Sequence, residues 1–266
     1  MSTNPTRSGG RALPSGLTLV GIFAGLSLER SRRSKLLRLI LAVLALPLVA
    51  SAGALAAGKA GPEFFKQIVE LYLRYLIPLV MALQASATVA EEVQAKTITY
   101  LFTRPVPRWT LPLGKYLGNI GLNLILLLPS LAVAYVLCMV GDGYVGSELG
   151  TLGKSLFAAL LGAIYFGALA MAFGAMVTNL PFAMMLTYVL VMEVGFSFVP
   201  GWLKATAMTV HLRAIAGTYT PAAASFFASD PNLTTAVSAP VVFGVALLWI
   251  VIALAWVAST EYRTDR

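Results

Sequence analysis

The sequence predicts an all-α integral membrane protein. Six transmembrane helices follow an N-terminal interfacial helix, a short amphipathic cytoplasmic helix joins the second span to the third, and a re-entrant or interfacial outer segment precedes the last. Three observations predict this. Hydrophobic residues make up 58% of the 266 and charged residues 11%, with a mean hydropathy of +0.82; a soluble domain carries about 25% charged residues. Six apolar runs reach the roughly 20 residues that a helix needs to cross a hydrocarbon core about 30 Å thick. The basic residues are unevenly shared between the two sides of those runs. Length alone would allow one or two soluble domains, but the apolar runs leave no room for one.

Residues 1–14 are rich in Ser, Gly, Pro and Arg and read as a disordered tail. Residues 15–266 form a single membrane domain. In "SGLTLVGIFAGLSLE", Leu19, Phe23 and Leu26, with Val20 and Ile22, make a ragged apolar stripe ahead of the basic "RSRRSK". That pattern suits a helix lying in the interface and leading into the first span. The spans fall at about 36–57, 71–90, 116–140, 154–178, 181–200 and 239–258, the fourth and fifth parted only by a tight "TNLP" turn. Pro78 and Pro129 lie inside spans, where neighbouring helices can satisfy the carbonyls they free. The first apolar run is too long for a secretory leader's core, so "ALA" at 54–56 is not read as a cleavage site.

With the N-terminus in the cytoplasm, the inner segments and the inner edge of the first span hold 13 of the 19 Lys and Arg. Lys59, Lys66, Arg74, Lys154, Lys204 and Arg213 fall outside. The net charge of +8 is therefore a topological signal, with N- and C-termini both cytoplasmic, rather than a nucleic-acid footprint.

Several chemistries find no support. "GALAAGKA" at 53–60 fits a phosphate-loop spacing, but Ala60 stands where a Ser or Thr would reach magnesium, and the stretch ends an apolar run. No other stretch makes a nucleotide site, so the chain is not read as an enzyme. One His and one Cys, far apart, give no metal-ligand spacing. Cys138 lies within the third apolar run and reads as a small buried apolar side chain.

Glu193, in "LVMEVGF", is the single carboxylate inside a predicted span. It either faces a polar pathway or pairs with a Tyr or Thr of a neighbouring helix, because a lone charge there costs a few kcal/mol. In the outer segment, "WLKATAMTVHLRAIAG" spaces Trp202, Ala205, Thr209, Leu212 and Ala216 along one helical face. A re-entrant or interfacial helix is expected, with His211 and Arg213 near the outer headgroups, solvated or lipid-facing, or in contact with a substrate. "GKYLGNIG" and Gly162, Gly167 and Gly174 allow close helix approach.

The remaining feature is "EEVQAKTITYLFTRPVPRWTLPLGK", residues 91–115. Ala95, Ile98, Leu101 and Phe102 gather on one side of a short helix, which Pro105 and Pro107 stop. A short helix held by a fixed turn can sit in another protein's groove and pass a push to the two spans it joins.

This cassette resembles the signature between the second and third helices of ABC-2 type exporter permeases. Glu92, Thr97, Leu101, Thr103, Pro105, Val106, Arg108, Gly114 and Lys115 carry the likeness, and Lys96 stands where the family usually has Gly. "YLFTRPVPR" leans toward the branch that serves maturation of copper enzymes. The resemblance implies a type V exporter-like permease in the bacterial cytoplasmic (inner) membrane. It implies a homodimer or a heterodimer with a second permease, each subunit docked to a separate ABC ATPase. ATP and Mg would be held by that ATPase and no cofactor by this chain. Glu91, Glu92, Thr97, Leu101, Phe102, Thr103, Arg104, Pro105 and Arg108 would couple to the ATPase. Against this stand a secondary transporter or channel, which predicts several embedded charges and inverted repeats, and a non-transporting scaffold or intramembrane enzyme.

Overall fold

The computed structural model describes residues 15–85, 90, 92, 107–141, 143, 145–177, 179–199, 201–220 and 232–260. Among them all regular structure is helical, and six helices are long and apolar enough to cross a membrane.

Helix α1 spans Gly16–Arg33, and α2 spans Lys35–Ala56. Ser34 separates them in an extended conformation (φ −81°, ψ 153°). Its hydroxyl donates to the Ser31 carbonyl at 2.8 Å and accepts from the Leu37 N–H at 3.3 Å. One side chain thus stops one helix and caps the next.

The far end of α2 is a Schellman stop. Gly58 adopts φ +64°, its N–H donates to the Leu55 carbonyl, and the Lys59 N–H donates to the Ala54 carbonyl. "GALAAGKA" is therefore a helix terminus whose second glycine serves the left-handed position.

Helix α3 spans Pro62–Ala85. It begins nine residues before the predicted span. Glu63, Lys66, Gln67 and Glu70 make that stretch look like a polar loop, yet Pro62 opens the helix at its first position and Glu63 stands in its first turn. Phe65, Ile68 and Val69 are buried on the opposite face. Tyr72–Leu76 winds as a π segment, with the Ile77 N–H reaching the Tyr72 carbonyl. The widened turn precedes Pro78, which has no N–H to give to the normal ladder.

Helix α4 spans Thr110–Met139, about 45 Å at 1.5 Å per residue, longer than the hydrocarbon alone requires. Helix α5 spans Leu149–Met176 and is the most deeply buried of the six spans. Helix α6 spans Pro181–Phe198 and carries a second π segment, Val189–Gly195.

The expected continuous helix over 202–217 is broken. Trp202–Thr206 is a 3-10 turn, Ala207 is extended, and α7 runs Met208–Ala216 to a left-handed Gly217. Trp202 lies off the buried face, 73% exposed. Helix α8 spans Thr235–Ser259.

The core gathers around α5, which packs against α3, α4, α7 and α8. Directions follow from the ends that meet. Phe65 near the start of α3 stacks edge-on with Tyr135 near the end of α4, ring centroids 5.2 Å apart. Glu92, beyond α3, meets Lys115 near the start of α4. The Arg108 guanidinium reaches the Ala258 carbonyl at the end of α8 at 3.5 Å. The described ends of the cassette, α1 and the end of α8 therefore share one side of the bundle. Helix α7 lies toward the other side, hereafter the far side. Helices α2, α6 and α8 turn Leu46, Val49, Leu190, Val191, Leu248 and Val251 outward, as spans that face lipid or a neighbouring subunit do.

Candidate functional site

The two ends of the cassette are tied together. Lys115 Nζ donates to Glu92 Oε1 at 2.7 Å, with both side chains largely withdrawn from solvent. Arg30 of α1 approaches the same oxygen at 3.8 Å. The acidic residue and the lysine that bracket the motif, 23 apart in sequence, thus meet in space.

The glycine before the lysine has its own task. Gly114 and Gly118 receive α1 so closely that a Cβ on Gly114 would sit 2.5 Å from Phe23 Cβ. One on Gly118 would sit 2.5 Å from the Ala24 carbonyl oxygen. Ser27 Oγ then donates to Asn119 Oδ1 at 2.9 Å. These contacts advance together along both helices, so α1 runs beside the first three turns of α4 and in the same direction. Val20 is buried there, whereas Leu17, Ile22 and Leu26 stay exposed.

Above this knot, α3 and α4 are joined by two further polar links. Gln84 and Asn123, both buried, exchange hydrogen bonds: Gln84 Nε2 to Asn123 Oδ1 at 3.0 Å, and Asn123 Nδ2 to Gln84 Oε1 at 2.8 Å. Higher still, the hydroxyls of Tyr72 and Ser130 share a hydrogen bond. Lys115, Asn119 and Asn123 recur every four residues along α4, one face of a helix. The links therefore form a zip from the cassette side toward the π segment of α3. In an apolar surround each amide needs a partner, and here each supplies the other's.

On the far side, Glu193 is 1% exposed and sits in the π segment of α6. Its Oε1 accepts from the Tyr165 hydroxyl at 2.6 Å and its Oε2 from the Thr209 N–H at 2.9 Å. Thr209 Oγ1 donates back to the Glu193 carbonyl at 3.1 Å. Helix α7 has no capping side chain of its own, since Ala207 holds the N-cap position. Glu193 supplies that cap from another helix, and the N-terminal helix dipole favours a negative group there.

His211 is neither solvated nor lipid-facing. It is buried, with Nε2 2.9 Å from the Ala205 carbonyl and Nδ1 3.2 Å from Ser238 Oγ of α8. Nε2 carries the proton that the carbonyl accepts, which leaves Nδ1 to accept from the serine. Burial holds its pKa below the usual histidine range, against the upward pull of the Ala205 carbonyl. Arg213 likewise turns inward and pairs with Glu70 of α3, its Nε donating to Oε1 at 3.0 Å and its Nη2 to the same oxygen. Both residues fix α7 to its neighbours: polar side chains in a thin apolar layer find protein partners before headgroups.

Of the residues expected to couple to a partner, Glu91, Thr97, Leu101, Phe102, Thr103, Arg104 and Pro105 lie outside the described residues. Glu92 and Arg108 are described and both hold the cassette's ends. Arg30, Ser27, Asn119, Gln84, Asn123 and Glu70 were not singled out from the sequence. The only signal for the amides was their presence in apolar runs, and for Ser27 its spacing from Val20 and Phe23.

The described residues thus form a multi-pass helical bundle in which an ion pair links the chain just beyond the second span to the start of the third. A family model described as an ABC-2 family transporter protein matches residues 28–198. The chain belongs to that family, and it is a membrane permease component of an ABC transporter. The matched region begins at the end of α1, includes the cassette and its pinning residues, and stops at Phe198. A comparison with curated proteins returned no match.

Proposed function

We propose that this chain is the export permease of an ATP-binding-cassette transporter in a bacterial cytoplasmic membrane. It works with a second permease subunit and with separate ATPase subunits that hold ATP and Mg. Its termini and cassette face the cytoplasm, as the basic bias of those segments favours. Residues 94–104 seat in the ATPase as a coupling helix, and closure of the ATPase pair moves them to switch the path from inward- to outward-facing.

The observation that carries this reading is the Glu92–Lys115 pair at 2.7 Å. A solvated connector has no use for closed, partly buried ends, whereas a lever needs a fixed fulcrum. The zip between α3 and α4 supports the reading by letting a push on the cassette move two spans together.

The test is purification of the chain from its own membranes, with a search for a co-purifying ABC ATPase. A stoichiometric complex is expected, and Leu101→Ala with Phe102→Ala should lower substrate-stimulated ATP hydrolysis while leaving membrane insertion intact. A working transporter in which residues 94–104 label only from outside the cell overturns the proposal.

A further inference from the structure

We propose that the far side carries an oxyanion site centred on Arg74, which takes the phosphate group of an amphiphile. Arg74 lies in the π segment of α3, about 18 Å along that helix from Pro62. Its guanidinium carbon stands 5.1 Å from the centre of the Phe198 ring. Among the described residues, Arg74 Nε is the one buried side-chain nitrogen or oxygen with no hydrogen-bond partner.

The nearest carboxylate on the same helix is paired with a different arginine. Glu70, one turn away on the same helix, receives both Nε and Nη2 of Arg213 on a single oxygen. Two guanidinium groups and one carboxylate leave an excess of one positive charge. A guanidinium within a span, stacked on a ring and with no ion pair of its own among the described residues, is suited to an anion from outside the chain.

Several features point to phosphate on an amphiphile. The planar fork of a guanidinium matches two phosphate oxygens at once. Phe198 is 66% exposed, and Leu190 and Val191 of the same helix are also exposed. An acyl chain can lie along this apolar strip while the headgroup meets Arg74. The side chain is half-buried, so a ligand arriving from the far leaflet reaches it without opening the bundle. Free phosphate offers the same oxygens without the chain. This inference does not depend on the ATPase.

The experiment uses the full chain purified in neutral detergent. Phosphatidylglycerol, a neutral glycolipid of equal chain length and inorganic phosphate are added in turn. Native mass spectrometry counts retained lipid, and phenylglyoxal labelling reports access to Arg74.

The wild-type chain should retain phosphatidylglycerol and not the glycolipid, and the bound lipid should protect Arg74 from phenylglyoxal. Arg74→Gln should lower retention about tenfold, the scale of one charge-assisted hydrogen bond. Arg74→Lys, which keeps charge without the fork, should fall between, and Phe198→Ala should weaken retention with Arg74 intact. Displacement by inorganic phosphate would assign the site to the bare oxyanion. Retention against it would assign it to the lipid headgroup, and either result supports the oxyanion site. Equal retention in wild type and Arg74→Lys and Arg74→Gln, unprotected labelling of the wild type, or an equal loss in the exposed far-side control Lys59→Gln would overturn it.

Discussion

At the scale of single residues, the charged and polar groups inside this bundle are placed by the need for partners. Glu193 shows how. Its two oxygens serve two donors, the Tyr165 hydroxyl at 2.6 Å and the Thr209 N–H at 2.9 Å, and the Tyr188 hydroxyl lies 3.4 Å from that of Tyr165. Glu193→Ala strands the Thr209 N–H and leaves Tyr165 only the longer contact to Tyr188, and a buried donor left without an acceptor costs about 1–3 kcal/mol. Glu193→Gln keeps the shape and one accepting oxygen, so its loss should be smaller. Thermal melts of the purified chain should rank wild type above Gln and Gln above Ala; a Glu193→Ala melt equal to wild type would show that α7 needs no cap from α6. His211 gives a pH dependence of definite sign. Because burial lowers its folded pKa, the unfolded chain binds a proton first as pH falls. Its contribution to stability is complete above about pH 6.5 and declines as pH drops from there toward the lower folded value. The melting temperature should therefore fall between pH 7.5 and pH 5, and His211→Asn should flatten that slope. A slope unchanged by the substitution would place the titrating group elsewhere.

At the scale of elements, helix contacts here depend on small residues for approach and on polar pairs for register. Gly118 is a tight case, because its would-be Cβ meets the Ala24 carbonyl oxygen at 2.5 Å, backbone with no rotamer to change. Gly118→Val should detach α1 from α4, whereas nothing lies within 4 Å of a Cβ on Gly121. A Cys pair at Ser27 and Asn119 should cross-link readily in the wild-type background and in Gly121→Ala, and poorly in Gly118→Val. The amide link behaves differently. Gln84→Leu or Asn123→Leu alone leaves a buried amide unpaired, at about 1–3 kcal/mol. The double Leu variant removes both needs and should cost less than the sum of the singles in a melt, the signature of direct coupling. Additive losses would mean that the two amides do not depend on each other. The spans themselves were legible, since 20-residue apolar runs leave few alternatives. The start of α3 was not, because Glu63, Lys66 and Glu70 sit on one face and hide a buried Phe65–Ile68–Val69 face that only three-dimensional packing reveals. The break at Ala207 was equally hidden. A helical stripe through Trp202 and Thr209 exists in the sequence, but an extended residue between them decides the fold.

At the scale of the molecule, the question is whether a displacement at the cassette can reach the far side. The path of physical connection is continuous. Glu92 and Lys115 close the cassette, Gln84 with Asn123 and Tyr72 with Ser130 join the two spans above it, and Glu70 hands α3 to Arg213 of α7. The end points of the motif were readable as a likeness to a family. Their meeting was not, because residues 23 apart in sequence on two different elements carry no local sign of contact. If the closed pair is the fulcrum, its charge complementarity should matter more than either residue's identity. Glu92→Lys and Lys115→Glu, made singly, place like charges where 2.7 Å now separates opposites, and each should lower substrate-stimulated ATP hydrolysis in the assembled transporter by about tenfold, the equivalent of roughly 1.4 kcal/mol. The double exchange restores attraction between the two positions. Arg30 stands 3.8 Å from the same carboxylate and would then face a lysine, so recovery should be partial, and adding Arg30→Gln to the exchange should improve it. In the proposed assembly the partner ATPase holds the nucleotide, so unstimulated hydrolysis should be the same throughout. If the double exchange is no better than the singles, with or without Arg30, while all variants insert and assemble, the pair is a local brace and the lever turns about some other point.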